Sequence, residues 1–194
     1  MHRIFLAINF DDDIKKALGD FTIKIKPRYE VMRPSWVDPR FYHLTLHFFG
    51  EMDDAGLAAA AVGLDGLAGK IAAPHLSAEN LGYLPSGRTP RILHLGFSML
   101  PEGALDPVIA AARRLAAEVG AERETRPWLA HLTLARFKGQ GALPSSLRAA
   151  SLREAADPTL PRFSFVPESF DLMESTLSPK GALHEIVRRF RFGK

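Results

Sequence analysis

Two histidines stand in the same short motif at two places in the chain. The tetrapeptide His-Leu-Thr-Leu fills residues 43–46 and again residues 131–134, with a proline four residues before and a phenylalanine six residues after each histidine. The repeat distance is 88 residues (131 − 43). Imidazole titrates near neutral pH, so one histidine of a pair can serve as a base while the other serves as an acid. The repeat therefore predicts a site for paired acid–base catalysis.

The alternation of side chains along a β-strand indicates what surrounds these histidines. His43, Thr45 and His47 would share one face of a strand, and the motif leucines the other. His131 and Thr133 would do the same in the second copy. Threonine hydroxyls can donate hydrogen bonds to phosphate oxygens. The combination favours in-line displacement at phosphorus, in which a base activates water and an acid protonates the leaving oxygen.

Other kinds of site have little support in the sequence. There is no cysteine, no His-x-x-x-His pair with an adjacent glutamate, and no acidic residue within either tetrapeptide. Zinc and di-metal hydrolases are therefore disfavoured. There is also no nucleotide-binding glycine motif of the Walker or dinucleotide type and no Gly-x-Ser-x-Gly elbow. We expect neither a metal ion nor an organic cofactor.

The elements that carry the motifs occur in the same order twice, which predicts a duplication with halves at about 1–90 and 91–194. Arg-Ile opens the first strand at residues 3–4 and recurs at 91–92, again 88 residues apart (91 − 3). Chance similarity is the alternative. Apolar runs predict strands at 4–10, 42–49, 75–83, 92–98, 129–137, 163–166, 168–174 and 183–192. Capping residues and alanine-rich segments predict helices at about 11–26, 53–68, 105–119 and 145–156. This is an α+β pattern, and the two halves should pack as one domain over 1–194.

Composition places few limits on the function. The 194 residues are 46% hydrophobic and 24% charged, as in a globular protein, and the net charge of +3 permits a phosphate-bearing partner. Three aspartates at 11–13 interrupt the apolar N-terminus, which argues against a signal peptide. No apolar run approaches the ~18 residues of a membrane span. We expect a cytoplasmic protein with no membrane partner.

The paired motifs resemble those of the two-histidine phosphoesterase superfamily, which is defined by two His-x-Thr/Ser-x sequences. Residues 3–8 (RIFLAI), 43–51 (HLTLHFFGE) and 131–136 (HLTLAR) are similar to the RNA 2′,3′-cyclic phosphodiesterases of bacteria and archaea, also labelled 2′-5′ RNA ligases. The resemblance extends from residue 3 to about 192. It implies a bilobal fold: two antiparallel-sheet lobes with outer helices, related by a pseudo-twofold axis, with the active site in the central cleft.

The resemblance also implies an activity. The protein would be a hydrolase that opens 2′,3′-cyclic phosphates on RNA or nucleotides, leaving 2′-phosphates, by metal-independent catalysis. His43 would be the acid and His131 the base, with Thr45 and Thr133 holding the phosphate. Arg136 would bind substrate, although five residues after His131 a regular strand points it to the opposite face. Either a bulge turns it inward or it forms a salt bridge.

Several alternatives stay open at this point. The same acid and base could join RNA ends through 2′-5′ bonds, or the chain could be an idle RNA- or nucleotide-binding module. Trp36 could stack on a base or fill the core. His47 stands where the family commonly has lysine, and His184 where it has tyrosine, and Ala130 replaces the usual proline before the second motif. We expect a monomer.

Overall fold

Two β-sheets carry the motif strands. The structure, a computed structural model, describes residues 1–121, 124, 126–137, 142–144, 147, 163–178 and 181–193. The elements are β1 (His2–Asn9), α1 (Asp12–Ile25), β2 (Ser35–Trp36), β3 (His43–Met52), α2 (Asp54–Asp65), β4 (His75–Leu84), β5 (Ile92–Leu100), α3 (Asp106–Glu118), β6 (His131–Arg136), β7 (Ser164–Phe165), β8 (Ser169–Ser178) and β9 (Gly181–Arg191), with 3₁₀ helices at Lys26–Met32 and Pro39–Phe41. The helix predicted at 145–156 falls mainly outside the described residues.

The sheets confirm the predicted α+β class with two antiparallel sheets. The first sheet has the order β3-β1-β8-β9 and the second β2-β6-β5-β4-β7, and every strand pair within them is antiparallel. β4 precedes residue 90 but pairs with β5, while β8 follows it and pairs with β1. Each sheet is therefore built from both parts of the sequence. The predicted duplication into 1–90 and 91–194 stays a prediction.

The helix boundaries follow from their capping residues. The Asp11 side chain accepts a hydrogen bond from the backbone N–H of Ile14, and that of Asp53 accepts one from Gly56, each at 2.8 Å. These bonds satisfy backbone donors that have no partner in the first helical turn. Gly120 follows α3 with φ of 73°, in the left-handed region that glycine adopts without strain.

The motif leucines form part of the core. Leu44, Leu46, Leu132 and Leu134 are all at most 2% exposed. They belong to one continuous cluster of buried apolar residues with the inner faces of α1, α2 and α3. The opposite face of each motif strand, which bears the histidine and the threonine, is only partly buried. The alternation predicted from the sequence therefore holds over each tetrapeptide.

A β-bulge interrupts that alternation at the same place in both motifs. In the β1–β3 pair, Ala7 lies opposite Thr45 and Leu6 opposite His47, which leaves Leu46 as the extra residue. In the β5–β6 pair, His94 lies opposite Thr133 and Leu93 opposite Ala135, which leaves Leu134. A bulge of one residue reverses the faces of the residues that follow it. In β3 a second bulge, at Phe49, reverses them again.

Candidate active site

The two motif strands lie against each other although they belong to different sheets. β3 and β6 are in direct contact. The indole N–H of Trp128 donates a 2.9 Å hydrogen bond to the carbonyl oxygen of Thr45, tying the segment before β6 to the first motif. Sequence analysis did not identify Trp128. Its one signal was its position three residues before His131.

Each motif histidine is anchored through the same ring nitrogen. His43 Nδ1 donates to the carbonyl oxygen of Phe41 at 2.8 Å, and His131 Nδ1 donates to that of Leu129 at 2.9 Å. A carbonyl only accepts, so each Nδ1 carries a hydrogen and each neutral ring keeps its lone pair on Nε2. In the first motif the Thr45 hydroxyl lies 3.1 Å from that nitrogen. The anchoring through Nδ1 leaves Nε2 of each ring available to exchange a proton.

The surroundings of His43 disfavour its charged form. Burial lowers the pKa of His43 to about 4, although its hydrogen bond to Phe41 opposes the change. The positive charges of His184, Lys15 and Arg136 lower this pKa further. The isolated protein therefore holds His43 neutral at pH 7. Arg136 therefore lies near enough to His43 for its charge to act on that ring.

The bulges decide which later residues share the face of His43, Thr45, His131 and Thr133, called the cleft side below. After Leu134 the chain turns Arg136 to the side of His131 and Thr133. Of the two possibilities left open for Arg136, the bulge is therefore present in the structure. After Leu46 the chain turns Phe48 to the side of His43, where its ring lies 5.8 Å from that of Phe5 and is 59% exposed. The two residues that follow the histidines by five positions, one aromatic and one cationic, thus lie on the cleft side.

The prediction that His47 shares the face of His43 is wrong. The bulge at Leu46 turns His47 into the core, where it is 4% exposed and its ring meets Phe49 at 5.0 Å. Burial lowers its pKa, and the charge of Arg113 on α3 lowers it further. His47 therefore does not line the cleft.

Trp36 also lies away from the cleft. It pairs with the buried Ala135, on the opposite face of β6 from Arg136. Its ring meets Tyr29 at 6.0 Å, with the ammonium of Lys26 5.6 Å from the ring centre. Of the two interpretations left open, packing in the core accounts for these contacts.

A buried carboxylate fixes the residue next to His43 in the sheet. Asn9 lies opposite His43 in the β1–β3 pair, and its amide donates a 2.8 Å hydrogen bond to Asp171, which is 0% exposed. Ser169 and Arg189 also donate to Asp171. Because the carboxylate only accepts, the Asn9 oxygen must point away from it. The network stabilises this edge of the cleft.

The other histidines divide into two groups. His94 and His184 contact the motif histidines: the ring centres of His94 and His131 are 5.4 Å apart, as are those of His184 and His43. His2 instead bridges Glu174 and Asp54 at the far end of β1, and His75 is exposed at the start of β4. Among the described residues no three potential metal ligands cluster together, and no helix is long and apolar enough to cross a membrane.

Comparison with known proteins finds similar sequences over most of the chain. A sequence model of the family described as LigT like Phosphoesterase matches residues 8–94, which include the first motif. Over these residues the chain is similar to the LigT-like phosphoesterases. An RNA 2′,3′-cyclic phosphodiesterase of Thermus thermophilus is 28% identical over 196 residues, covering 97% of this chain and 89% of the relative. One from Aquifex aeolicus is 25% identical over 184 residues, covering 92% and 93%.

Two solved structures are similar in fold over nearly the whole chain. The protein TT0787 of Thermus thermophilus superimposes with a TM-score of 0.75 at 26% identity, covering 97% of both chains. LigT of E. coli complexed with 3′-AMP superimposes with a TM-score of 0.73 at 20% identity, covering 100% of this chain and 99% of LigT. The second likeness is one of fold alone. Together they agree with the α+β fold of two antiparallel sheets; the bilobal organisation stays a prediction.

Proposed function

We propose that this protein is an RNA 2′,3′-cyclic phosphodiesterase that opens the terminal cyclic phosphate and leaves a 2′-phosphate. The observation that carries the proposal is the matched anchoring of His43 and His131 on contacting strands, with Nε2 of each ring left for proton transfer. The relatives that bear this name support the choice of substrate. We further propose that it acts in the cytoplasm without a metal ion.

The proposed reaction is one displacement at phosphorus. The base removes a proton from water as the water oxygen bonds to phosphorus. The bond from phosphorus to the ribose 3′-oxygen breaks, and the acid gives that oxygen a proton. The products are a 2′-phosphate and a 3′-hydroxyl, and the two histidines end with their protonation states exchanged. Each proton transfer can contribute about 10²- to 10⁴-fold to the rate.

Thr45, Thr133 and Arg136 would bind the phosphate during this reaction. Thr45 and Thr133 follow the histidines by two residues on the same face, where their hydroxyls can donate to non-bridging oxygens. Arg136 would add a charge-assisted hydrogen bond. The exposed ring of Phe48 offers a surface on which a nucleobase can stack. We assign His43 as the acid and His131 as the base.

Binding of an anion is expected to raise the pKa of His43. Burial and three nearby cations lower this pKa to about 4 in the isolated protein, so an acid role requires a partner that offsets them. A phosphate beside the ring does so because it favours the imidazolium form. Nitrogen-15 NMR titration should therefore find His43 protonated at higher pH when inorganic phosphate is bound than when it is absent. An unchanged titration of His43 at saturating phosphate would contradict the acid assignment.

Substitution of Arg136 is expected to weaken phosphate recognition. Arg136→Gln removes a hydrogen bond to a charged group, a contribution of about 1.5–3 kcal/mol, so the inhibition constant of inorganic phosphate should rise at least tenfold. Arg114→Gln is the matched control, since this arginine is 67% exposed and pairs with Glu118 on α3. Equal inhibition of the two variants would instead favour a structural salt bridge for Arg136.

A comparison of RNA ends tests the proposed function. Matched oligonucleotides ending in a 2′,3′-cyclic phosphate, a 3′-phosphate or a 2′-phosphate are incubated with the protein in EDTA. We expect only the cyclic end to change. Turnover that EDTA abolishes and a divalent ion restores would contradict the metal-free mechanism. Tight binding of every end without turnover would favour a binding module.

A further inference from the structure

Each motif histidine packs edge-to-face against a second histidine from outside the motifs. The rings of His131 and His94 are 5.4 Å apart and inclined at 76°, and those of His43 and His184 are 5.4 Å apart and inclined at 87°. The two outer histidines occupy unrelated positions, on β5 and β9. The same geometry is thus reached twice by different routes.

His94 is held rigidly in place. The bulge at Leu134 brings it opposite Thr133 on the cleft face, and it is 5% exposed. Its ring lies over Gly82, where an added Cβ would stand 2.6 Å from His94 Nε2. A side chain at residue 82 would therefore displace the ring. By contrast, His131 has a single ring contact, to His94, among the described aromatic and histidine rings.

His184 is held by aromatic neighbours. Its ring meets Phe5 at 5.1 Å and 75°, and Phe41 at 5.7 Å and 83°. Phe41 also supplies the carbonyl that anchors His43. The outer ring and the motif ring are therefore parts of one packed group at the mouth of the cleft.

The outer rings are imidazoles although phenyl rings could make the same contacts. Nδ1 of His94 and Nδ1 of His184 are both buried without a hydrogen-bond partner among the described residues, as are Nε2 of His47 and Nε of Arg113. Buried polar atoms are normally paired, so each exception calls for an explanation. A role in proton distribution would provide one, since an imidazole binds a proton and a phenyl ring does not.

The charges around three of the four rings, those of His43, His94 and His184, oppose a second proton. They come from His131 on His94, from Arg3 on His184, and from His184, Lys15 and Arg136 on His43. All are cationic when charged. Backbone hydrogen bonds at Leu95, Leu183 and Phe41 favour the charged forms of His94, His184 and His43 and oppose this effect. Burial lowers the pKa of both outer histidines as well, that of His94 to about 4. Two interacting imidazoles in such surroundings titrate as a pair.

We propose that His94 and His184 are positioning residues, each orienting one motif imidazole and limiting its pair of rings to a single proton. This inference rests on the proposed function, because it assigns the motif rings to proton transfer. Each proton transfer of the reaction then has its own pair of rings. The pair of His131 and His94 starts neutral and gains a proton from water. The pair of His43 and His184 starts with one proton and delivers it to the 3′-oxygen. An outer ring that kept a proton of its own would block that exchange.

Nitrogen-15 NMR titration of the histidines tests the pairing without reference to turnover. His184→Phe keeps an aromatic ring and removes the nitrogen that binds a proton. His94→Asn removes the proton-binding nitrogen of the second pair with a side chain that fits the space above Gly82. We expect His184→Phe to move the titration of His43 upward by about half a pH unit or more and to leave His131 unmoved. His94→Asn should move His131 and leave His43 unmoved. His75→Asn, at the exposed histidine, is the control.

Activity provides the second measurement. In folded variants, each substitution should shift one limb of the pH profile of kcat/KM, and the two should shift different limbs. The inference would be overturned if both variants lost kcat while both limbs of the pH profile and the titrations of His43 and His131 stayed unchanged. The outer rings would then serve only to pack against the motif rings. A wild type that shows the paired titrations but no turnover would uphold the pairing and reject the proposed function, so the two failures are distinguishable.

Discussion

Replacing either motif histidine by alanine is expected to lower kcat for a cyclic-phosphate substrate by about 10²- to 10⁴-fold. His43→Ala removes the proposed acid and His131→Ala the proposed base, so each leaves one of the two proton transfers to water. The double variant should be only slightly slower than the slower single one, because residues that act as a unit are not additive. Single-turnover rates at one pH measure the effect.

Two controls separate loss of chemistry from loss of structure. His75→Ala changes an exposed histidine at the start of β4 and should leave kcat unchanged. Thermal unfolding of each active-site variant should show a folded protein. If His43→Ala or His131→Ala kept more than about one tenth of the wild-type kcat, the loss of rate would be smaller than that expected on removal of a general acid or base. The catalytic role of that histidine would then be rejected.

Replacing a motif leucine by alanine is expected to cost about 2–5 kcal/mol of stability. Leu44 is 0% exposed and Leu132 is 1% exposed, and both lie in the continuous core under the helices. Truncation removes buried methyl groups and leaves a cavity that the close-packed core fills only in part. Urea unfolding of Leu44→Ala and Leu132→Ala measures the loss.

Leu183→Ala is the matched control for these variants. Leu183 lies on β9 and is 50% exposed, so the same change should alter the free energy of unfolding by no more than about 0.5 kcal/mol. A cost for Leu44→Ala as small as that for Leu183→Ala would mean that the motif leucines do not face the core. The assignment of the opposite, histidine-bearing face to the cleft would then fail with it.

Local patterns in the sequence predicted most of the elements. Apolar runs located the longer strands, and Asp11 and Asp53 located two helix starts that the structure confirms. The two-residue strand β2 was missed, because Ser35 and Trp36 lie in no extended apolar run. Pairing was harder still: the exchange of β4 and β8 between the sheets joins residues far apart in the chain, and no local pattern specifies it.

The bulges explain why the site could be predicted only in part. Residues before Leu46 and Leu134, including His43, Thr45, His131 and Thr133, keep the alternation of a regular strand. Residues after them are reversed, which moved His47 out of the cleft. A bulge is a backbone feature with no residue type that marks it here, so strict alternation was the natural expectation.

His94 and Trp128 show a different limit of the sequence. Neither stands in a motif, and each reaches the site through a long-range contact, with His131 in one case and with the carbonyl of Thr45 in the other. A single histidine on a strand is usually structural or exposed, so His94 carried no signal of its own. Only the β5–β6 register brings it beside the catalytic face.

The position of the phosphate in the product tests the proposed reaction most directly. An RNA oligonucleotide with a terminal 2′,3′-cyclic phosphate is converted in oxygen-18 water containing EDTA, and phosphorus-31 NMR identifies the product. We expect a 2′-phosphate that carries one oxygen-18, formed by wild type and not by His43→Ala or His131→Ala. A 3′-phosphate, or formation of the same product at the same rate by both variants, would contradict it.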